Sequence, residues 1–237
     1  KFSLLQFSAL PSTDVLSFIA ERPSYSENLV CEIAGQVLDA LEYIQWRGKV
    51  YLNLEPANIL VCSGRSLGRS VQVKLANFET TQTVASNGTQ IKGTYNFDYA
   101  APEIIEEAKA YPQSDVWSLG VLLYVLMSGQ LPFKGESPEE TKDNILNVKF
   151  KFEYLYKECT MEGTRLLMWI FKKAPIRRPS LEEVGAHRWM NPADYMLKKR
   201  ERARFPTNRI QKFCKDYHKS RPMMDMDAQS FMSRVLH

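Results

Sequence analysis

One stretch of the 237-residue chain, Val116 to Met127, constrains the fold most, because it is apolar on nearly all sides. A helix with apolar side chains around its whole circumference has to be buried, in a protein core or in a membrane. The uncharged run continues to Phe133, long enough to consider a membrane span. Its dense apolar part ends at Met127, and the Ser-Gly-Gln-Leu-Pro sequence that follows is typical of a helix end. The sequence therefore predicts a central core helix and no membrane association.

Capping signals and apolar periodicity predict further helices on both sides of this core helix. Ser24 and Glu27 have the spacing of a capping box, in which each side chain bonds the other's backbone N–H. Apolar residues then recur with the helical period as far as Ile44. Equivalent start signals lie at Ser137-Pro138-Glu139-Glu140 and at Ser180-Leu181-Glu182-Glu183, and the latter helix is expected to end near Trp189. A short helix is predicted over Asp14–Glu21 and a buried one over Gly163–Lys173.

Few strands are expected beside these helices. Apolar segments at Lys1–Leu10, Ile59–Cys62 and Val71–Leu75 are strand candidates. Residues 77–100 lack a helical period and are rich in Thr, Asn, Gln and Gly, which predicts a long loop. The predicted fold class is therefore mainly α with a few short β-strands.

Charge divides the chain into two parts. Residues 193–237 hold 11 Lys and Arg against 5 Asp and Glu, whereas the preceding residues are close to neutral. We therefore predict a body over 1–192 and a basic helical tail over 193–237, with no nucleic-acid module in either. The four cysteines are too far apart for a CxxC motif, and no leader peptide opens the sequence, which favours reduced thiols in a cytoplasmic protein without a metal or other cofactor.

The order of several short motifs resembles the large lobe of eukaryotic protein kinases. The series begins at Asn53-Leu54-Glu55-Pro56-Ala57-Asn58 and ends at Arg178-Pro179. The segments between are Ala76-Asn77-Phe78-Glu79, Gly93-Thr94, Ala101-Pro102-Glu103 and Asp115-Val116-Trp117-Ser118-Leu119-Gly120. With its tail, the chain is similar to the giant muscle kinase group (titin, twitchin and obscurin), and obscurin-type pseudokinases are preferred. The resemblance implies a kinase large lobe including the hinge strand. No Gly-rich loop or lysine-bearing strand is found in the sequence, so the small lobe is expected to be largely absent.

The departures from the kinase pattern fall on the chemistry. The resemblance assigns Tyr51, Leu52 and Asn53 to the His-Arg-Asp of the catalytic loop, so an amide replaces the catalytic base. Glu55 replaces the phosphate-stabilising lysine and is expected to face the γ-phosphate. At the Asp-Phe-Gly motif, Asn77 replaces the metal-binding aspartate and Glu79 replaces the glycine. No catalytic residue is therefore expected.

Other positions keep the family's residue. Asn58 matches the second metal ligand, although bonding to loop backbone is the simpler role for it. Glu103 and Arg178 match a buried structural ion pair. Asp115 matches the aspartate that caps the central helix and bonds the catalytic-loop backbone. His187 is interpreted as a packing or capping histidine. The segment from Gly93 to Glu103 is two residues longer than the family pattern, which alters the ledge that binds the acceptor peptide.

The tail has an amphipathic pattern with three possible roles. Ile210, Phe213 and Tyr217 form an apolar stripe beside the basic Arg209 and Lys212. The stripe fits a helix docked on the chain's own lobe. It also fits a segment that binds calmodulin or a similar partner, and the basic residues leave anionic lipid or nucleic acid as a third role.

The function expected from this resemblance is a catalytically inactive scaffold that binds other proteins, cytoskeletal or sarcomeric, at the M-band of muscle. The alternatives are an unorthodox kinase that uses Glu55 or Glu79 as its base, and a nucleotide sensor without transfer. In both, the tail would be an autoregulatory or calmodulin-like binding segment.

Overall fold

The computed structural model of the chain describes residues 12–62, 71–85, 87–151, 155, 158–191 and 193–220. The predicted strand at Lys1–Leu10 lies outside them. The described helices are α1 Val15–Ala20, α2 Glu27–Trp46, α3 Pro102–Glu107, α4 Pro112–Ser128, α5 Pro138–Leu146, α6 Met161–Ile170, α7 Leu181–Ala186, α8 Asp194–Arg202 and α9 Thr207–Ser220. The strands are β1 Ser12–Asp14, β2 Ser24–Ser26, β3 Lys49–Val50, β4 Ile59–Cys62, β5 Val73–Leu75, β6 Gln82–Thr83, β7 Thr89–Gln90, β8 Lys109–Ala110 and β9 Arg204–Pro206.

The strands form small antiparallel pairs around the helices. β4 lies between β1 and β5 in a three-stranded sheet, and the other described strands pair as β2–β9, β3–β6 and β7–β8. The segment 77–100, predicted as a loop, contains β6, β7 and a 3₁₀ turn at Phe97–Tyr99. The turn begins where the Asn96 side chain accepts the Asp98 N–H. These strands connect loops to helices, and their buried apolar residues belong to the same core cluster as those of the helices.

Helix α4 is the centre of the core, and its residues from Ser114 to Ser128 are buried. It begins at Pro112, so Asp115 lies within its first turn and does not cap it as predicted. Trp117 stacks on Phe133, with ring centroids 4.9 Å apart. At Gly120, any Cβ atom would lie 2.5 Å from Ile170 Cγ2, so a glycine is needed where α6 crosses α4. Within the described part of the chain, no helix is long and apolar enough to cross a membrane.

The start of α2 differs from the prediction. Ser24 lies in strand β2, and Ser26 is the residue before the helix, without a side-chain cap bond. Glu27 is fully buried and accepts hydrogen bonds from the Thr160 N–H (2.8 Å), the Thr160 hydroxyl (2.6 Å) and the Trp189 indole N–H (2.5 Å). The capping box at Ser24 is therefore wrong, because these donors hold the Glu27 carboxylate in the core. The capping box at Ser180 is confirmed, although α7 ends at Ala186 and not near Trp189. At Ser137 the serine cap is confirmed, but the Glu140 carboxylate accepts the Glu136 N–H and not the Ser137 N–H, so the box is incomplete.

The tail packs on the lobe along its described length. β9 pairs with β2, and the Glu27 N–H donates to the Ala203 carbonyl at 2.9 Å. Arg200 of α8 is buried and donates to the Trp189 carbonyl. Helix α9 then runs against α1 and α4. Gly129 ends α4 at φ +69°, and a Cβ there would lie 2.8 Å from the Arg209 backbone, so the absence of a side chain lets α9 approach.

Replacing the buried Glu27 tests how far the core depends on it. In Glu27→Ala, the N–H groups of Thr160 and Trp189 lose their acceptor inside the core. We expect the free energy of unfolding to fall by about 3 kcal/mol, measured by urea denaturation. The matched control is Glu139→Ala on the exposed side of α5, expected to change it by less than about 0.5 kcal/mol. Equal effects of the two substitutions would contradict the assignment.

Candidate functional site

The catalytic-loop region runs from Tyr51 to Asn58, between β3 and β4, and it is fastened to α4 by one carboxylate. Asp115 is fully buried and accepts the N–H of Tyr51 at 2.8 Å and the N–H of Leu52 at 2.9 Å. Leu52 has a φ of +62°, a left-handed conformation that costs a non-glycine residue energy. The two bonds from Asp115 hold the backbone in this conformation, so the loop shape is set by α4.

Burial controls the ionisation of Asp115. Desolvation raises the pKa of its carboxyl to about 6, although the hydrogen bonds from the Tyr51 and Leu52 backbone favour the charged form and oppose the shift. The same burial raises the pKa of the Tyr51 phenol above its usual range. The anchor of the loop therefore consists of groups shielded from water.

Tyr51 and Asn53 connect this loop to the segment that begins at Ala76. The Tyr51 hydroxyl donates to the Ala76 carbonyl, and its ring packs edge-on against Phe78 at 5.5 Å. The Asn53 amide N–H donates to the Asn77 carbonyl at 3.2 Å. Asn77 has a φ of +55°, which asparagine tolerates better than most residues. The side-chain amide of Asn53, at the position that the resemblance assigns to the catalytic base, thus joins the catalytic loop to the segment that begins at Ala76.

Glu55 lies in a different environment from the one predicted. Its side chain does not face open space: the residue is only 6% exposed. Its carboxylate accepts hydrogen bonds from the Asn96 amide, from the Tyr217 hydroxyl at 3.1 Å and from the Asn58 amide at 3.4 Å. These three donors are neutral, and they come from the catalytic loop, from the segment between Asn77 and Glu103 (the activation segment of the resemblance) and from the tail, so the carboxylate is enclosed by the chain itself.

The possible metal ligands are mostly neutral. The Asn58 amide N–H groups donate to the Asn53 carbonyl at 2.8 Å and to Glu55, so Asn58 bonds its own loop. Asn77 and Glu79 are both exposed. In the described residues, no group of three or more His, Cys, Asp and Glu side chains could hold a metal ion. Mg²⁺ is usually held through one or two carboxylates. Asn58 and Asn77 supply amide oxygens only, and this donor set does not fit Mg²⁺.

The activation segment is held to the helical lobe by a buried ion pair. Arg178 donates to both carboxylate oxygens of Glu103, at 2.8 and 2.6 Å, and both side chains are buried. Arg178 also donates to the carbonyls of Lys172, Lys173 and Gln113, so its guanidinium is well satisfied. Glu103 accepts a further bond from the Ser114 hydroxyl at 2.6 Å. This network connects α3, α4 and the turn before α7.

The region where the resemblance places the acceptor peptide is closed. A cavity of only about 10 Å³ remains between the catalytic loop and the activation segment, lined by residues that include Asn53, Tyr95 and Asn96. Asn96 belongs to the longer Gly93–Glu103 segment and bonds Glu55. The extra length therefore brings a side chain into this space.

The predicted tail residues have different surroundings. Ile210 and Tyr217 are buried against the lobe, Phe213 is partly buried, and Lys212 is exposed. Arg209 forms an ion pair with Glu158. The apolar stripe is thus occupied by the lobe, as the docked-helix interpretation predicts, and it is not available to a second protein while α9 stays in place.

Sequence reasoning did not find the contact between Tyr217 and Glu55. These residues are 162 positions apart. The buried stripe of α9 indicates that Tyr217 faces the lobe, but nothing in the local pattern indicates which lobe residue it meets. The same holds for His218, whose Nε2 lies 3.3 Å from the carboxylate of Asp14, the last residue of β1 and the cap of α1.

The raised pKa of Asp115 predicts a pH dependence with a definite sign. The pKa of the Asp115 carboxyl is about 6 in the folded chain and about 4 in the unfolded chain. Its contribution to the free energy of unfolding is therefore complete below pH 4 and is lost as the pH rises through 6. We expect the difference in unfolding free energy between wild type and Asp115→Asn to shrink by up to about 3 kcal/mol from pH 4 to pH 7.

Urea denaturation at several pH values measures this difference. A carboxyl ¹³C titration of wild-type Asp115, with a midpoint near pH 6, provides a check that does not require the variant to fold. A difference that grows with pH would mean that the two backbone bonds outweigh desolvation.

The contact between tail and catalytic loop can be measured by a double-mutant cycle. Tyr217→Phe and Glu55→Gln each weaken one side of the bond, and we expect a coupling energy of about 1 kcal/mol between them. Tyr217→Phe should also speed amide hydrogen exchange in α9. Tyr95→Phe, which removes a hydroxyl from the activation segment, is the matched control. Zero coupling would show that the tail docks through its apolar stripe alone.

Comparisons with known proteins agree with this architecture. Residues 2–190 match the protein kinase domain family. The muscle M-line assembly protein unc-89 of Caenorhabditis elegans is 31% identical over 204 residues, which cover 85% of this chain and 2% of that protein. The striated muscle preferentially expressed protein kinase of Danio rerio is 27% identical over 87% of this chain and 7% of its own length. The chain thus spans a small part of these relatives.

Solved structures give the same fold. A twitchin kinase fragment from Caenorhabditis elegans superposes with a TM-score of 0.80 at 24% identity, covering 90% of this chain and 46% of that one. Titin kinase with its flanking domains gives 0.77 at 23% identity, over 89% of this chain and 37% of that one. The predicted kinase fold and the likeness to giant muscle kinases are confirmed, while the preference for obscurin stays a prediction. The chain belongs to the protein kinase family.

Proposed function

We propose that this domain does not transfer phosphate and serves as a protein-interaction scaffold. The observation that carries the proposal is the environment of Glu55. An acid stands where the family has a lysine, it is buried, and a tail residue bonds it directly. A site that binds a triphosphate needs cations next to the phosphates. At this position the chain has the acid Glu55 and, bonded to it, Tyr217 of the tail helix α9.

Electrostatics supports this proposal. A phosphate oxygen placed about 4 Å from the Glu55 carboxylate would meet a repulsion of about 4 kcal/mol at an effective dielectric constant near 20. The phosphate would also have to displace the hydrogen bonds from Asn96 and Tyr217. Both costs act against nucleotide binding, whereas the family's lysine attracts the phosphate.

The lack of a suitable base supports the proposal as well. The Asn53 amide has no useful basicity, and loss of a positioned base typically costs 10² to about 10⁴ in rate. Glu55 is a poor replacement, because its carboxylate is buried and already accepts three hydrogen bonds. The neutral amides of Asn58 and Asn77 do not fit Mg²⁺, so no step is assigned to a metal ion here.

The relatives suggest where such a scaffold works. One is named as a muscle M-line assembly protein and another as a striated muscle protein kinase. We infer that the domain belongs to a muscle protein of the sarcomere, where it would hold cytoskeletal or sarcomeric proteins. The M-band is the location that the first of these names supports.

A thermal-shift titration tests the loss of nucleotide binding. With 10 mM ATP and Mg²⁺, we expect no change in Tm beyond about 1 °C. The assay would detect even weak binding, since a ligand with a Kd of 1 mM would add about 1.4 kcal/mol to the free energy of unfolding. That gain would raise Tm by a few degrees in a chain of this size. The measurement is made on this chain and on any longer natural chain that contains it.

Two further arms make the result decisive. In Tyr217→Phe, a magnesium-dependent rise in Tm that wild type lacks would show a usable site that the tail blocks. Transfer of radiolabelled phosphate to an acceptor protein, lost on Glu55→Ala and Glu79→Ala, would overturn the proposal in favour of an unorthodox kinase. Binding without transfer would favour a nucleotide sensor.

A further inference from the structure

A concave surface on the helical lobe has a composition suited to binding. It lies between α6 and the end of α7, is shallow and widely open to solvent, and has a volume of about 460 Å³. The residues that line it include Arg165 and Trp169 from α6, and His187 and Arg188 from the turn after α7. None of its lining residues comes from the catalytic loop, the activation segment or the tail. We call it the α6–α7 groove.

Apolar side chains border this groove on α6. Trp169 is partly buried, and its ring lies 5.8 Å from the His187 ring. On the outer face of the same helix, Met161 is 64% exposed and Met168 is 44% exposed. Methionine is flexible and polarisable, and it is common on surfaces that adapt to a partner. The groove itself therefore offers the flat ring of Trp169 to an apolar side chain, and the two methionines lie outside its lining.

The groove has two arginines and two glutamates, and they are not paired evenly. Glu162 is paired with Arg165 at 3.1 Å, and the Glu183 carboxylate accepts the Ser180 N–H at 2.7 Å. Arg188 is exposed and, in the described parts of the chain, has no carboxylate within ion-pair distance. The acids of the groove thus have partners, while one guanidinium faces solvent unmatched.

His187 adds a hydrogen-bond donor beside these arginines. Its Nδ1 accepts the Trp189 N–H at 3.2 Å, so in the neutral ring the hydrogen is on Nε2. Burial lowers the pKa of His187, and the charges of Arg165 and Arg188 lower it further against the opposite effect of Glu162. In its neutral form the ring therefore presents Nε2–H as a hydrogen-bond donor near Arg165 and Arg188, a setting that suits a carboxylate.

We propose that the α6–α7 groove binds a protein segment that presents an acidic side chain next to a large apolar one. The carboxylate would pair with Arg188 and accept from His187 Nε2–H, and the apolar side chain would pack on Trp169. This inference identifies one binding surface for the proposed scaffold. Only the biological role of the groove rests on the proposed function. Binding there requires no nucleotide, so the thermal-shift experiment can fail independently of it.

The test uses a random 12-residue peptide library displayed on phage and selected against the whole chain. We expect the selected pool to be enriched in Asp or Glu adjacent to Leu, Phe or Trp. The highest-ranked peptide is then synthesised with a fluorescent label and titrated by anisotropy. Arg188→Glu should weaken its binding by at least about tenfold, because repulsion replaces attraction. Trp169→Ala, which removes the apolar ring of the groove, should weaken it by at least about threefold.

A charge exchange provides the sharpest arm. The same peptide with its acids changed to Lys should lose binding to wild type and regain it with Arg188→Glu. Lys142→Glu, an equal change of charge on the exposed side of α5, is the matched control and should leave both affinities unchanged. The Tm of each variant confirms that it folds.

Several outcomes would overturn the proposal. They are a pool without acidic enrichment, failure to select any binder, and equal affinity for wild type and Arg188→Glu. Sedimentation velocity gives a further arm: concentration-dependent dimers that Arg188→Glu abolishes would mean that a second copy of the chain occupies the groove, which also overturns the proposed occupant.

Discussion

The burial of α4 on all sides is the constraint on which the other parts of this domain depend. Because its residues from Ser114 to Ser128 are buried, their polar groups depend on partners inside the protein, and in the described residues the Trp117 indole N–H is left without one. Asp115 accepts two N–H groups of the catalytic loop, Ser114 donates to Glu103, and Ser118 donates to the Tyr99 carbonyl. Near its other end, the Leu126 carbonyl accepts the Tyr25 hydroxyl beside the tail. One buried helix thus positions the loop, the activation segment and the strand that receives the tail.

Buried acids take different roles according to the donors around them. Glu103 has a guanidinium and becomes a structural ion pair, and Glu27 has two N–H groups and a hydroxyl and becomes a core anchor. The donors described for Glu55 are neutral and come from three separate segments. The position that the resemblance assigns to the phosphate-stabilising lysine is in this chain the meeting point of loop, activation segment and tail. The kinase fold is kept, the proposed change concerns the chemistry of its cleft, and the α6–α7 groove lies outside that cleft.

Local signals in the sequence were reliable where neighbours in sequence are also neighbours in space. The capping residues Ser137 and Ser180 bond N–H groups three positions ahead, so the pattern and the contact coincide. The same pattern at Ser24 and Glu27 failed, because Thr160 and Trp189 offered the carboxylate better-shielded donors than its own helix start. The partners of Glu55 were missed for the same reason, since Asn96 and Tyr217 come from distant parts of the chain.

The sequence by itself determined the central helix, the mainly helical class and the kinase order of motifs, because apolar period and motif spacing are properties of the chain read in order. It also determined which side chains stand at the catalytic positions. Only the tertiary structure decided what those side chains meet: Glu55 bonds the tail, α4 begins at Pro112 before Asp115, and the groove at Arg188 lies open. Long-range contacts depend on how helices pack in three dimensions, and no pattern within a few residues contains that information.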